Sequence, residues 1–135
     1  MSKNKQPSQH PKIHDQTGVL VLNLGTPDGY GYFAVRKYLK EFLSDVRVIE
    51  VNRVLWKLIL SFFILPLRPF ATGKKYQQIW MKDVDESPLK FYTKSQAKNL
   101  QELVSKKHPN LIVDYAMRYG NPSIESKIDD LIKKG

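Results

Sequence analysis

The sequence predicts an α/β fold in which helices flank a parallel sheet. Two apolar segments, residues 18–24 and 111–117, have the composition of strands buried on both faces of such a sheet. Each breaks into a turn containing Gly and Pro, and helical periodicity follows. Because the carboxyl ends of parallel strands meet helix N-termini at one sheet edge, we expect the two turns to face one ligand cleft.

The first turn has the sequence Asn23-Leu24-Gly25-Thr26-Pro27. Beyond it, residues 33–44 are predicted to form a helix because apolar side chains recur at positions i, i+3, i+4 and i+7. These side chains are Val35, Tyr38, Leu39 and Phe42. Residues 47–51 are predicted to be extended.

Residues 53–67 contain the densest apolar stretch, which Lys57 interrupts and Pro66 is predicted to close. At roughly 14 residues it falls short of the ~20 that span a bilayer. Two interpretations remain open. The segment is either a core helix or a partly exposed apolar lip that contacts a membrane surface or admits an apolar ligand. The lip would consist of Trp56, Phe62 and Phe63.

The second half of the chain predicts a helix, a strand and another helix. The sequence Thr93-Lys94-Ser95-Gln96 has the capping-box pattern that opens a helix. The strand at 111–117 leads into the second turn, after which Asn121 is predicted to be the N-cap and Pro122 the first residue of a helix. Gly135 is its predicted C-cap.

Charge and composition limit the possible functions. The 135 residues include 22 Lys and Arg against 13 Asp and Glu, a formal net charge of +9 that favours anionic partners. No basic run is interleaved with stacking aromatic residues, so nucleic-acid binding is not predicted. The absence of cysteine excludes disulfides, thiolate metal sites and a Cys nucleophile, and it is compatible with a reducing cytoplasm.

The N-terminal residues 1–16 are polar and lack an apolar core segment, so they are predicted to be a disordered tail and not a signal peptide. His10 and His14 have the spacing of metal ligands on a helix, but Pro11 lies between them in this tail. No metal site is predicted from them.

One motif suggests a different class of protein. The sequence Gly29-Tyr30-Gly31-Tyr32-Phe33-Ala34 fits G-x-G-x-x-A, and Glu50 follows about twenty residues later, as in dinucleotide-binding domains. However, residues 25–28 separate the first glycine from the strand, whereas the fingerprint turn leaves its strand directly. A dinucleotide-binding α/β domain is kept as the alternative, and a basic module that binds membrane surfaces is a third interpretation.

Polar side chains at the predicted cleft are candidate ligand contacts. Asn23 needs hydrogen-bond partners in a buried strand, from either the turn backbone or a ligand. Arg118, at the carboxyl end of the second strand, is expected to pair with an anion, either a protein carboxylate or a ligand carboxylate. Lys75 and Ser87 belong to a segment that offers cations and a hydroxyl to an anionic ligand, although a solvated helix start is the favoured explanation for them.

Seven segments, taken in order, resemble the N-terminal part of bacterial ferrochelatases. They are residues 21–28, 38–45, 47–50, 64–69, 76–80, 87–89 and 116–124. The resemblance implies a chelatase-type protein with two Rossmann-like lobes and a porphyrin in the cleft between them. Residues 17–135 would form an incomplete N-terminal lobe.

The resemblance also implies an activity, the insertion of Fe²⁺ into protoporphyrin IX or coproporphyrin III in haem biosynthesis, with no cofactor in this chain. It implies a cytoplasmic protein that contacts the inner membrane face peripherally through the apolar lip. The residues it places at the porphyrin are Asn23, Leu24, Gly25, Thr26, Pro27, Lys75, Ser87 and Arg118.

Departures from the family pattern limit what the chain is expected to do. Leu24 stands where some members have a tyrosine, which excludes axial ligation of iron from this position. Gln77 and Gln78 stand where some relatives have arginines, which weakens a propionate contact there. The family's catalytic His and acidic residue lie beyond the equivalent of Gly135. No catalytic residue is therefore assigned here, and the chain alone is expected to be inactive.

Overall fold

A computed structural model describes residues 16–134. Its elements, in chain order, are β1 (Thr17–Thr26), α1 (Tyr32–Ser44), α2 (Arg53–Ile59), a π-helical turn (Leu60–Ile64), α3 (Leu65–Ile79), α4 (Pro88–Ser105), β2 (Leu111–Gly120) and α5 (Ile124–Lys134). The predicted tail lies outside the described residues except for Gln16, as do His10, His14 and Gly135.

The two strands pair in parallel, from Thr17 opposite Leu111 to Thr26 opposite Gly120. Helix α4 contacts both strands, α5 contacts β2, and α1 packs between β2 and α3. The predicted α/β class with a parallel sheet is therefore confirmed. The described residues provide two strands of that sheet.

The strands approach closely at their carboxyl ends, where two glycines make the pairing possible. Gly25 has φ +116°, and a Cβ there would lie 1.8 Å from the carbonyl oxygen of Tyr119. Gly120 has φ +82°, and its Cβ would lie 2.5 Å from the carbonyl oxygen of Thr26. Only glycine combines this backbone conformation with so little space. The predicted meeting of the two turns is confirmed.

Helix α1 holds these strand ends from one side. Its apolar stripe is buried as the periodicity predicted, with Val35 and Leu39 in the core beside Tyr119 of β2. The Tyr38 hydroxyl donates a hydrogen bond of 3.2 Å to the Gly25 carbonyl oxygen. Burial, with a further contribution from neighbouring Tyr76, raises the pKa of Tyr38 well above its usual range, so the hydroxyl remains protonated and donates.

Two predictions were wrong, one about side-chain burial in β1 and one about the conformation of residues 47–51. Leu22 and Leu24 of β1 are about half exposed, because the described part of the chain provides only two strands of the sheet. Residues 47–51 are not extended but begin in a turn. The Asp45 carbonyl oxygen accepts hydrogen bonds from the N–H groups of Val48 and Ile49, which folds this segment back on the end of α1.

The apolar segment does not end at Pro66, contrary to the prediction. Helical structure continues from Arg53 through Pro66 and Pro69 to Ile79. A proline cannot donate to the carbonyl four residues earlier, and the π-helical turn before Pro66 absorbs this loss, with the Leu65 N–H donating to the Leu60 carbonyl.

The full 27-residue segment is therefore longer than predicted. It is long and apolar enough to cross a membrane by length and composition alone, a test that the core helices of soluble proteins also pass. Most of its apolar window is exposed, so the core-helix interpretation does not describe the segment as a whole.

The starts of α4 and α5 also differ from prediction. Helix α4 begins at Pro88, with the Ser87 hydroxyl accepting a hydrogen bond from the Lys90 N–H as N-cap. Thr93 instead lies within the helix, where its hydroxyl donates to the Leu89 carbonyl. A Ser-Pro pair satisfies the N-cap and N1 preferences together, and it initiates the helix before the capping-box pattern is reached.

Helix α5 begins two residues later than predicted. The Ser123 hydroxyl accepts from the Ser126 N–H at 3.2 Å, which is N-cap geometry. Asn121 serves a different purpose, because its side-chain amide donates to the Asp28 carboxylate at 2.7 Å. This bond joins the second turn to the first.

The outer edge of β2, which faces away from β1, is capped by side chains and a neighbouring loop. The Thr17 N–H of β1 donates to the Asn110 carbonyl oxygen. Because the backbone groups of successive residues in a parallel pair point alternately toward and away from the partner strand, the Leu111 carbonyl and the Val113 N–H point away from β1. The Gln101 side chain of α4 bonds both of these groups. Two further N–H groups are capped locally, that of Tyr115 by the Asp114 carboxylate and that of Met117 by the Pro122 carbonyl.

The glycine requirement at the strand ends leads to a stability prediction. Gly25→Ala should lower the free energy of unfolding by more than about 3 kcal/mol, because the added methyl group overlaps the Tyr119 carbonyl and φ is unfavourable. Gly29→Ala is the matched control, since its Cβ would meet only Ala34 at 3.8 Å, and its effect should stay within about 0.5 kcal/mol. Urea unfolding followed by circular dichroism measures both. Equal stability of the two variants would contradict the requirement.

Candidate functional site

The candidate site is the carboxyl edge of the sheet, where the two turns meet. The bond between Asp28 and Asn121 closes its floor, and the Glu41 carboxylate accepts the Gly120 N–H at 3.1 Å. The cavity between the turns is only about 30 Å³, about the size of one water molecule. The floor itself therefore has no room for an organic ligand, and any ligand of this edge would lie on the surface above it.

The first turn divides into buried and accessible residues. Gly25, Thr26 and Pro27 are buried, whereas Asn23 and Leu24 are exposed. The hydroxyl of Thr26 is enclosed and has no hydrogen-bond partner in the described residues. The last three residues of this turn thus shape the edge, and the first two are accessible to a ligand.

Asn23 has its hydrogen bonds satisfied by the protein. Its side-chain amide donates to the Thr93 hydroxyl of α4 at 2.9 Å, and its side-chain oxygen accepts the N–H of Leu24 at 2.8 Å. Of the two alternatives that the sequence left open, the structure provides the protein partners. The Asn23 side chain thereby holds the backbone of the exposed Leu24 next to it.

Arg118 also has a protein partner. Its Nη2 lies 3.0 Å from Oδ2 of Asp45, at the end of α1. The Tyr119 hydroxyl donates to the same oxygen at 2.9 Å, and the Arg47 N–H donates to Oδ1 at 2.9 Å. The Arg118 guanidinium carbon also lies 5.5 Å from the centroid of the Tyr119 ring, and the side chain remains 44% exposed.

These hydrogen bonds set the ionisation of Asp45. The Arg47 N–H, then the Tyr119 hydroxyl and the Arg118 guanidinium, hold the pKa of Asp45 below its ordinary value. The carboxylate therefore stays charged at neutral pH. Sequence reasoning missed Asp45 because its partners in β2 lie more than seventy residues away, and no local pattern connects them.

Two predicted contacts lie on other elements. Lys75 is exposed on α3, and the Ser87 hydroxyl is buried at the start of α4, where it accepts the Lys90 N–H. No hydrogen bond or ion pair joins either of them to Arg118 within residues 16–134. The structure brings together the two turns and Arg118, and it leaves Lys75 and Ser87 outside this group.

A larger cavity of about 330 Å³ lies beside Asp45, between the end of α1 and the start of the long helical segment. Its walls are largely apolar, and Arg53 and Lys57 contribute cations. Trp56 forms part of the wall, half-buried, with its indole N–H donating to the Leu43 carbonyl at 2.7 Å. Sequence reasoning missed this cavity because it depends on the turn after Asp45, which was predicted to be extended.

The three residues of the predicted lip do not share one environment. Trp56 belongs to the cavity wall, whereas Phe62 and Phe63 are 71% and 68% exposed. Of the predicted apolar lip, only Phe62 and Phe63 are therefore exposed.

The glycine motif of the dinucleotide alternative lacks the geometry that such a site needs. A Cβ on Gly31 would have open space around it, and one on Gly29 would make only an ordinary contact. Glu50 lies in an irregular segment and not at the end of a strand. The glycines whose Cβ would overlap neighbouring backbone are Gly25, Gly73 and Gly120, all outside the motif. Among the described residues, no group of three or more His, Asp or Glu side chains is placed to hold a metal ion.

The described residues form an α/β protein with an exposed candidate ligand surface at the carboxyl edge of a parallel sheet. A family model for ferrochelatase matches residues 16–135, and the chain belongs to the ferrochelatase family. It is similar to the ferrochelatase of Allorhizobium ampelinum, with 50% identity over 133 residues, and to that of Francisella tularensis, with 51% identity over 127 residues.

These alignments cover 98% and 94% of this chain but only 38% and 37% of the two relatives. The chain thus spans less than two fifths of the length of the curated proteins that it matches. No solved structure matches it.

Proposed function

We propose that this chain forms one wall of the porphyrin cleft of a ferrochelatase, which inserts Fe²⁺ into protoporphyrin IX or coproporphyrin III during haem biosynthesis. The family match over residues 16–135 is the observation that carries this proposal. The geometry of the sheet edge supports it, because exposed apolar side chains and a half-exposed guanidinium lie next to two rigidly joined turns.

The chemistry of this surface suits a planar apolar ring with anionic substituents. Leu24 offers an exposed apolar side chain at the strand end, positioned by Asn23. Arg118 offers guanidinium donors to a carboxylate, for which its planar fork is well matched. Lys75 and Ser87 would take part if the porphyrin extends to α3 and α4.

The wall positions the substrate but does not deprotonate it. Metal insertion requires a base that accepts the two pyrrole protons. Leu24 has no donor atom for iron, and the resemblance places the family's catalytic His and acidic residue beyond the equivalent of Gly135. We assign binding and orientation of the porphyrin to this chain and the proton transfers to residues that it does not contain.

Porphyrin binding should depend on Arg118. Arg118→Leu should weaken binding of protoporphyrin IX by roughly 1.5–3 kcal/mol, the range for losing a charge-assisted hydrogen bond. Titration followed by the Soret band and by porphyrin fluorescence measures the affinity, and coproporphyrin III is titrated in parallel. Arg36→Leu, on the exposed face of α1, is the matched control and should have little effect.

Two results would contradict this assignment. An equal effect of both substitutions would show that charge acts without a specific contact. A lowered melting temperature with less than a tenfold loss of affinity would restrict Arg118 to its structural ion pair with Asp45.

Residues 1–135 alone should not insert iron. The assay follows the loss of protoporphyrin fluorescence with ferrous iron under anaerobic conditions, with the full-length Francisella tularensis ferrochelatase as positive control. Porphyrin binding without turnover is the expected result. Turnover by the short chain at a rate near that of the full-length protein would require a base within these residues and would overturn the division of roles.

We also propose a cytoplasmic location with peripheral contact to the inner membrane face through the apolar lip. Lys57 and Arg68 flank Phe62 and Phe63 in the same helical segment, so apolar burial would add to attraction by anionic lipids.

Replacing both Phe62 and Phe63 by Ser should reduce co-sedimentation with anionic liposomes and leave the circular dichroism spectrum unchanged. Leu103→Ser is the control, because Leu103 is equally exposed on α4. Unchanged sedimentation of the double variant would remove the lip from membrane contact, and unfolding would return these residues to a structural role.

A further inference from the structure

Asp45 connects the end of α1 to the end of β2 through both of its carboxylate oxygens. Oδ1 accepts the N–H of Arg47, which closes a local turn. Oδ2 accepts both the Tyr119 hydroxyl and the Arg118 guanidinium. One carboxylate thus joins two elements that are more than seventy residues apart in the sequence.

The position of Asp45 does not depend on Arg118. The Arg47 N–H fixes one oxygen, and the Tyr119 hydroxyl fixes the other from a buried ring. The ring of Tyr119 is in turn held edge-on by Phe42 of α1, with the centroids 5.2 Å apart. The carboxylate is therefore fixed by two groups other than Arg118, whereas the Arg118 guanidinium contacts only this carboxylate and, at 5.5 Å, the Tyr119 ring among the described residues.

Arg118, in contrast, uses one nitrogen in this pair. Its Nη2 contacts Asp45, and the remaining donors belong to a side chain that is nearly half exposed. The guanidinium also borders a groove lined by Glu125 and Asp129 of α5, with which it makes no ion pair in the described part of the chain. Without Asp45, these two carboxylates are alternative partners for Arg118.

We propose that Asp45 is a positioning residue, which holds the Arg118 guanidinium at the carboxyl edge of the sheet so that its free donors bind a porphyrin carboxylate. This inference rests on the proposed function and adds to it the residue that orients the cation. If Asp45 were only a counter-ion, its removal would have the opposite effect on affinity, because the site would carry more positive charge and bind an anion more tightly.

The test compares Asp45→Asn with Asp114→Asn in the 135-residue chain. Asp114 is a close match, because its Oδ1 accepts the Tyr115 N–H at 2.8 Å and its Oδ2 pairs with Lys127 at 2.8 Å. Asp45→Asn should weaken protoporphyrin binding about three- to tenfold, whereas Asp114→Asn should leave it within about twofold. Binding of protoporphyrin dimethyl ester, which has no carboxylate, should be unchanged by either substitution.

A double-mutant cycle shows whether Asp45 acts through Arg118. In an Arg118→Leu background, Asp45→Asn should cause almost no further loss of affinity. Three results would overturn the inference. They are an undiminished loss of affinity in this background, unchanged or tighter protoporphyrin binding by Asp45→Asn alone, and an equal loss of affinity for the dimethyl ester.

A second measurement needs no porphyrin. In arginine-labelled protein, NMR should show hindered rotation of the Arg118 guanidinium. This hindrance should be lost in Asp45→Asn and retained in Asp114→Asn. Free rotation in the unaltered chain would overturn the positioning role. If the unaltered chain binds no porphyrin but this NMR difference is present, the proposed function fails and the positioning role of Asp45 stands.

Discussion

The close approach of the two backbones at Gly25 and Gly120 is the constraint on which the rest of the structure depends. The added Cβ distances show that no side chain fits on either residue. This contact brings together two turns that lie about ninety residues apart, and it allows Tyr38 to bond the Gly25 carbonyl. It also places Tyr119 and Arg118 within reach of Asp45 at the end of α1. The candidate site is a consequence of this backbone geometry.

The sequence predicted the elements whose signals are local. Both strands and α1 follow from apolar runs and helical spacing, and the buried Val35 and Leu39 confirm the predicted core face. The meeting of the two turns was predictable too, because parallel strands in one sheet end at the same edge. These features depend on patterns within about a dozen residues together with one general rule of topology.

The predictions failed where two local signals competed or where a distant partner decided the outcome. Pro66 was expected to end a helix, but a π-helical turn before it accommodates the missing N–H. The Ser87-Pro88 pair started α4 ahead of the capping-box pattern at Thr93. Asp45 could not be found at all, because its role depends on the folded position of β2. Interactions between residues distant in sequence have no signature in a single sequence.

The capped outer edge of β2 makes the sheet asymmetric toward further strands. Side chains and a loop already bond its outward N–H groups from Val113 to Met117, and such an edge does not accept a new strand without losing these bonds. On β1, the Asn23 side chain caps the outward N–H of Leu24, and those of Leu20 and Leu22 have no such cap within the described residues. The outer edge of β1 is therefore the more open of the two to a further strand. A strand from elsewhere would join beside β1 and place β1 in the centre.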